Sequence, residues 1–591
     1  MLLYKVAGWL SLGTLAIAGT IPRELEPLPP SRVIAERQVS TSTSVPDGQC
    51  TNSPRTRGCW SDGFSISTDF DAKAPPAGKT VRYNLEITNT TVNPDGFKSR
   101  IGMLINGEYP GPVLRASWGD TMIINVKNSL QDNGTGIHWH GLRQLNSCQH
   151  DGVGGITECP IAPGKTRQYV FKCTQFGTTW YHSHWSAQYG EGVVGSIIID
   201  GPATANYDED LGVLPLTDWY YTPAFEVNEQ AQHSQVGPPA PNNLLVNGTH
   251  VNKNGGGKYF KMTVTKGKKY RIRLINTAVD STFSVSMDGH PFTVITSDFV
   301  PINSWVTDQL TLAIGQRYDV IINANQTVGN YWFRVSPGTD CGGNEITEAN
   351  IPLGAILHYD GASDGNPTST GVQMRTSCND ETNLTPFVPN AVPTNIIDQA
   401  GEMELNHFQD ANNNFLFRWL IDGSDHIVDW NQPSLKTALE GGTNFGNHSN
   451  VYEMNSDGWY LWWIQTTSFI ALPHPIHLHG HDFYLIGKGS GTWDGTANGL
   501  NFVNPTRRDT ATLPAGGYML LAFPADNPGL WVMHCHIAWH ASQGLSVQFL
   551  ERKNEIQGKI GSTDDFFKGC DEWDDYWFPG NHPYNQTDSG L

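Results

Sequence analysis

One hairpin is written three times along this chain, and that repeat constrains the fold more than any other feature. Gly164-Lys-Thr-Arg-Gln-Tyr-Val-Phe171 leads into Gly177-Thr-Thr-Trp180-Tyr-His-Ser-His184. Gly315-Gln-Arg-Tyr-Asp-Val-Ile-Ile322 leads into Gly329-Asn-Tyr-Trp332-Phe-Arg-Val335, and Gly516-Gly-Tyr-Met-Leu-Leu-Ala-Phe523 into Gly529-Leu-Trp531-Val-Met-His-Cys-His536. Each unit is an alternating strand, a turn rich in Gly, Asn or Pro, and a strand led by Trp, with Gly-to-Trp spacings of 16, 17 and 15 residues. That spacing is hairpin geometry. Repeats of this kind predict copies of one structural unit, here three consecutive β-sandwich domains over residues 50–202, 203–385 and 386–591. Composition agrees: 62 Gly, 36 Pro and 11% aromatics in 591 residues, with only 16% charged, against about 25% in an average domain. An all-β chain with few, short helices follows; a coiled coil, a helical array or a disordered chain does not.

The net charge of −20 argues against nucleic acid as a partner and against docking on anionic membranes. Residues 1–18 read as a secretory signal peptide: Lys5, an apolar run from Val6 to Ile17, and the small residues Ala16 and Ala18. The run is shorter than the ~20 residues of a membrane span. Residues 19–49, rich in Pro, Ser and Thr, read as a pro-segment. Nine cysteines and seven N-x-S/T sequons are compatible with a secreted, extracellular chain carrying disulfides and glycans.

The copies differ in their histidines. The first domain carries His138-Trp-His140 and His182-Ser-His184; the third carries His477-Leu-His479 and His534-Cys-His536; the second has no such pair. On a strand, residues two apart share a face, so each pair sets two imidazoles side by side. Eight uncompensated imidazoles meeting in one cavity would be costly, and metal ions would satisfy them all. The second domain reads as a spacer. Nitrogen ligands alone do not choose the metal, but Cys535 does: it points to the opposite face from its two neighbours, and with His474 and His540 forms a Cys-His-His set suited to a blue-copper centre. At the axial position, ten residues past the cysteine, stands Leu545, a non-ligand that favours Cu(I) and a raised potential. Cys535 bonded to His534 and His536 joins a one-electron site to a multi-electron one. That is the wiring of an oxidase.

Taken together, His138-Trp-His140-Gly, Trp180-Tyr-His182-Ser-His184, His474-Pro-Ile-His477-Leu-His479-Gly and His534-Cys535-His536-Ile-Ala-Trp-His540 resemble the four signatures of multicopper oxidases. Arg508-Asp-Thr, Leu513-Pro-Ala-Gly-Gly517 and the terminal Asp-Ser-Gly-Leu resemble secreted ascomycete-type laccases. The resemblance implies three cupredoxin-like Greek-key domains and four copper ions per chain. It also implies one-electron oxidation of phenols and aromatic amines, with O2 reduced to two waters. Type 1 copper would use His474, Cys535 and His540; type 2, His138 and His477; the type 3 pair, His140, His182 and His536 on one ion and His184, His479 and His534 on the other. The remaining histidines, among them His150, His290 and His481, read as surface residues or neighbours of the ligands.

The same resemblance places an acid, Asp151, near type 2 copper as a proton relay. Asp298, after the strand of residues 292–297, would be a substrate-pocket carboxylate acting beside His540. Leu591 would plug the solvent channel to the cluster. It pairs Cys50 with Cys59, Cys159 with Cys570 and Cys341 with Cys378, leaving Cys148 with Cys173. Rival donors on the same machinery are ferrous iron, ascorbate and bilirubin; Leu545 weighs against ascorbate oxidases, which usually carry Met there. A copper-storage or adhesion protein is disfavoured by the complete ligand set. Monomer is the default oligomeric state.

Overall fold

The computed structural model describes residues 23–24, 50–61, 63–339, 346, 351–410, 415–466, 468, 470–580, 582 and 585–591. The expected signal peptide and nearly all of the pro-segment lie outside them. Three sandwiches of the cupredoxin kind follow one another along the chain. The first packs the sheet of Arg100–Ile105, Thr80–Val92, Thr121–Asn128 and Thr166–Lys172 on that of Gly111–Ser117, Val194–Asp200, Gly177–Ser183 and Ile137–Trp139. The second and third each pair two larger sheets. Alternation builds them: Thr121–Asn128 buries every second residue, Met122, Ile124 and Val126 among them, as does Leu416–Ile421, so one face of each strand feeds a core and the other does not. Each sandwich has its own core, centred on Trp118 and Trp139, on Phe283 and Tyr318, and on Trp462 and Phe549. Among the described residues helices are short, the longest being the 14-residue Asp564–Trp577. Among the described residues no helix is long and apolar enough to cross a membrane.

Six elements position the chemistry: β1 (Ile137–Trp139), β2 (Gly177–Ser183), β3 (His474–Leu478), β4 (Gly529–Cys535), α1 (Ala538–Ser542) and α2 (Asp564–Trp577). β1 pairs antiparallel with β2 so that His138 lies opposite His182; β3 pairs antiparallel with β4 so that His477 lies opposite His534 and Ile476 opposite Cys535. The outer domains meet across an apolar seam. Val153, Ile156 and Trp185 of the first pack with Val428, Trp430 and Trp531 of the third, and Phe566 and Trp573 of α2 close the end. Burying each such side chain contributes about 1.5–3 kcal/mol, so the seam is a core in its own right.

Two expected disulfides are formed, Cys50–Cys59 and Cys159–Cys570, the second fastening α2 to the first domain. Cys378 is also disulfide-bonded; Cys341, its expected partner, lies outside the described residues. The fourth expected bridge is absent. Cys148 and Cys173 are both free thiols, because Cys148 sits in the seam against Gly529 while Cys173 points into the core of the first sandwich. Burial pushes each thiol up to about 12.

Candidate metal centre

Hydrogen bonds fix which nitrogen of each ring faces inward. His138 Nδ1 donates to the Asp151 carbonyl at 3.0 Å, His477 Nδ1 to the Asp509 carbonyl at 2.8 Å, His534 Nδ1 to the Cys535 carbonyl at 2.9 Å and His182 Nδ1 to the Ser183 carbonyl at 2.9 Å. His479 Nδ1 donates to Asp151 Oδ2 at 2.8 Å. A carbonyl or carboxylate oxygen can only accept, so these five rings carry their proton on Nδ1 and present a bare Nε2 lone pair.

Those lone pairs face one another. His477 Nε2 stands 3.5 Å from His138 Nε2, and His534 Nε2 stands 3.3 Å from His479 Nε2 and 3.4 Å from His184 Nε2. His140 is turned the other way, with Nδ1 3.2 Å from His536 Nε2 and Nε2 3.3 Å from Asp509 Oδ1. His182 Nε2 is buried without a hydrogen-bond partner. Protonation does not resolve the clash. Burial and the neighbouring imidazoles hold His140, His182, His184, His477, His479 and His536 far below the usual histidine range, and burial holds His534 at about 4. Neutral rings with opposed lone pairs repel unless cations lie between them, so the donor set fits metal ions.

On the other side of β4 the donors change. Cys535 Sγ lies 3.7 Å from His474 Nδ1 and 3.6 Å from His540 Nδ1, and the two nitrogens lie 3.1 Å apart. A soft thiolate with two imidazoles fits copper. Trp419 packs 4.9 Å from both rings. Leu545 is buried in the same core as Cys535; its carbonyl accepts from Cys535 N at 3.1 Å and its N–H donates to the His540 carbonyl at 3.0 Å. His540, at 7%, is the most exposed of the eleven candidate ligands.

The carboxylates are distributed differently from expectation. Asp151 is fully buried and serves two rings, His479 through Oδ2 and His138 through its carbonyl and Oδ1, the latter at 3.2 Å. Asp298 does not line a pocket. It occupies a two-residue turn with φ 53°, is 0% exposed, and accepts from Arg508 Nε and Nη2 at 3.1 Å each, from Arg317 N at 3.0 Å and from the backbone N–H groups of Asp509 and Thr510. With its lone pairs filled by a joint between the second and third domains, it cannot take a substrate proton.

Asp280 is an acid on a loop that packs against α1, the helix of His540. The Asp218 carboxylate gathers the N–H groups of Val279, Asp280 and Ser281 at 2.8–3.0 Å, and the Val279 carbonyl accepts from Ala538 N at 2.9 Å. The loop bearing Asp280 therefore leans on α1, which carries His540. Asp280 is half-buried, and burial with the adjacent Asp218 pushes it up to about 7. Its charge reaches Cys535. Asp509 was also not singled out from sequence, although the Arg508-Asp-Thr run was; it became recognisable only when β3 brought His477 beside it.

The C-terminal residues are seated. Leu591 is 3% exposed and lines the cavity with His182, His184, His534 and His536. Asp588 accepts from Ser186 Oγ and from Asn228 Nδ2, and the Leu591 carbonyl accepts from Ser542 Oγ at 3.3 Å. None of three other histidines lies free on the surface. His290 is held by the Asp288 carbonyl and Tyr359, His481 pairs with Glu551 at 3.0 Å behind His479, and half-buried His150 packs against Tyr169.

Comparison with known proteins points to the multicopper oxidases. Multicopper oxidase models match residues 86–204, 210–362 and 422–555. Laccase-3 of Botryotinia fuckeliana is 52% identical over 458 residues, 74% of this chain and all of that one. Laccase-1 of Melanocarpus albomyces is 45% identical over 563 residues, covering 91% of this chain and 89% of that protein. Among solved structures, a laccase from Botrytis aclada superposes with a TM-score of 0.85 at 42% identity, over 92% of this chain and 100% of that one. Fet3p, described as a multicopper oxidase that functions in iron import, gives 0.74 at 26% identity, over 83% and 94%.

Proposed function

The chain belongs to the multicopper oxidases and is an enzyme of the laccase type, and from that premise we propose that it is a secreted oxidase drawing single electrons from phenols and aromatic amines beside His540 and spending four of them on O2 in the seam between its outer domains. Four copper ions, held by the eleven residues in the sets expected from sequence, would supply both the one-electron uptake and the four-electron reduction. The observation that carries the reading is the placement of Cys535. Its side chain lies with His474 and His540 in the core, while its peptide neighbours His534 and His536 face the shared cavity, so a covalent path of one residue joins the two.

The chain's own groups divide the remaining work. Asp151 keeps His138 and His479 in their Nδ1–H tautomers and stands ready to pass protons to the cavity, where O2 reduction consumes four. Leu591, seated on Asp588 and Ser542, closes the solvent side. Asp280, in place of Asp298, accepts the phenolic proton as the electron leaves towards His540. The far edge of His540 offers the donor its contact, and Trp419 backs both imidazoles. The test compares kcat/KM for a methoxyphenol, Fe(II) and ascorbate under one set of conditions. The phenol is expected to lead by more than tenfold; a lead for Fe(II) would transfer the reading to a ferroxidase, and a lead for ascorbate to an ascorbate oxidase.

A further inference from the structure

The middle domain has no ligand motif, yet one of its turns touches the cavity wall. Gly315 has φ 85°, and a Cβ there would stand 2.9 Å from His140 Cε1 and 2.9 Å from His536 Cδ2. Two residues on, Arg317 is fully buried. Its Nη1 donates to Asp509 Oδ1 at 2.6 Å and its Nη2 to Asp509 Oδ2 at 2.7 Å, while Nε is held by the Thr178 carbonyl at 3.2 Å and Nη1 also by the Gly315 carbonyl at 3.1 Å. Asp509 in turn meets His140 Nε2 through Oδ1 at 3.3 Å and His477 Nδ1 through its carbonyl at 2.8 Å. Gly141, next to His140, lies so close that a Cβ would fall 2.4 Å from Asp509 Oδ2 and 2.5 Å from Arg317 Nη2. One guanidinium from the second domain thus grips a carboxylate of the third, which orients a ring of the first and a ring of the third.

We propose that Arg317 is a positioning residue for the cluster: its fork fixes Asp509, and through Asp509 the orientation of His140 and His477, so the middle domain is part of the metal-holding machinery and not a spacer. The inference rests on the multicopper reading above. A planar fork matched to a carboxylate is what Lys cannot reproduce, and partners that orient metal-binding imidazoles typically change metal affinity or activity by 10–100-fold when removed.

A second bidentate pair of the middle domain supplies the control. Arg334 donates to Asp288 through Nε and Nη2 at 2.7 Å each, and neither residue is hydrogen-bonded to Arg317, Asp509 or a candidate ligand among the described residues. The experiment uses the whole copper-loaded enzyme and the variants Arg317→Lys, Arg317→Met, Asp509→Asn and Arg334→Lys. Copper per chain, the type 2 EPR spectrum, the blue absorption and the chelator concentration that removes half the cluster copper are measured for each. Arg317→Lys and Arg317→Met are expected to keep the blue absorption, alter the type 2 spectrum and lose cluster copper at 10–100-fold lower chelator. Asp509→Asn should move the spectrum in the same way, and Arg334→Lys should lower Tm while leaving spectrum and chelator resistance unchanged. Should Arg317→Met not fold, Arg317→Lys and Asp509→Asn decide. Unchanged spectra and chelator resistance in the Arg317 variants, or equal changes in Arg334→Lys, would overturn the proposal. A wild-type enzyme without copper would instead overturn the functional reading on which it rests.

Discussion

The two metal-binding regions are built from the same strand pair and differ in almost every other respect. His474, Cys535 and His540 come from a single domain, lie against Trp419 and Leu545, and have no carboxylate hydrogen-bonded to them among the described residues. The eight remaining imidazoles are split between two domains, and four of them, His138, His140, His477 and His479, are backed by Asp151 and Asp509. The first region is an apolar socket that one folded domain can make alone. The second exists only when domains dock, and its rings are aimed by backbone carbonyls together with the Asp151 and Asp509 carboxylates. Electron uptake should therefore depend on local packing, and oxygen reduction on the integrity of the seam.

The sharpest way to break this comparison is Cys535→Ser. Blue absorption and phenol-driven O2 uptake should both fall to background, while the other eight imidazoles keep their ions, because the Cys535 carbonyl that accepts from His534 Nδ1 is backbone and survives. Copper analysis and type 2 EPR check this. Loss of the cluster copper as well would mean that the regions do not assemble independently.

The next effect concerns only the donor side. Asp280→Asn should lower kcat/KM for phenols by about 100-fold, the low end of what a positioned base contributes, with little change for a donor that releases no proton. Because Asp280 is raised to about 7, it is protonated and unable to accept below that pH. The phenol advantage of the wild type should thus rise with pH through about 7 and level off above it, and Asp280→Asn should flatten that rise. Parallel pH profiles in the two proteins would remove Asp280 from the donor site.

Sequence made the socket and the imidazoles legible because both are local. Alternation alone puts His534 and His536 on one face and Cys535 on the other, and the register that sets His138 opposite His182 follows from pairing two H-x-H strands. What it did not disclose depends on groups far along the chain. Asp298 looked like a pocket acid, but Arg508 lies 210 residues away and closes over it. Asp280 gives no motif; only the docking of its loop on α1 brings it to the helix that carries His540. Gly315 and Arg317 sit in the repeated hairpin of the domain without ligands, where nothing local marks them. Cys148 and Cys173 looked like a leftover pair, yet they belong to different cores.

On the oxygen side, removing residues 588–591 opens the cavity that Leu591 lines. Steady-state kcat should drop by roughly tenfold, equivalent to about 1.4 kcal/mol, while the anaerobic rate at which phenol bleaches the blue colour stays unchanged. If bleaching slowed and reoxidation did not, the tail would belong to the wrong region.

The smallest expected effect is Leu545→Met. A volume-conserving apolar exchange in a packed core costs less than about 1.5 kcal/mol, and the backbone of residue 545, bonded to Cys535 N and the His540 carbonyl, keeps the side chain directed at the socket. A thioether placed there is a weak axial ligand, and such ligands tune the potential of blue sites. Added donation favours Cu(II), so the type 1 potential should fall and kcat/KM should decline by a few-fold for phenols that are hard to oxidise, with the type 2 EPR spectrum unaltered. Redox titration of the blue absorption reads the first quantity directly. An unchanged or higher potential would mean that the sulfur does not reach the metal, and that Trp419 and the apolar packing, rather than the missing axial donor, set the potential of this site.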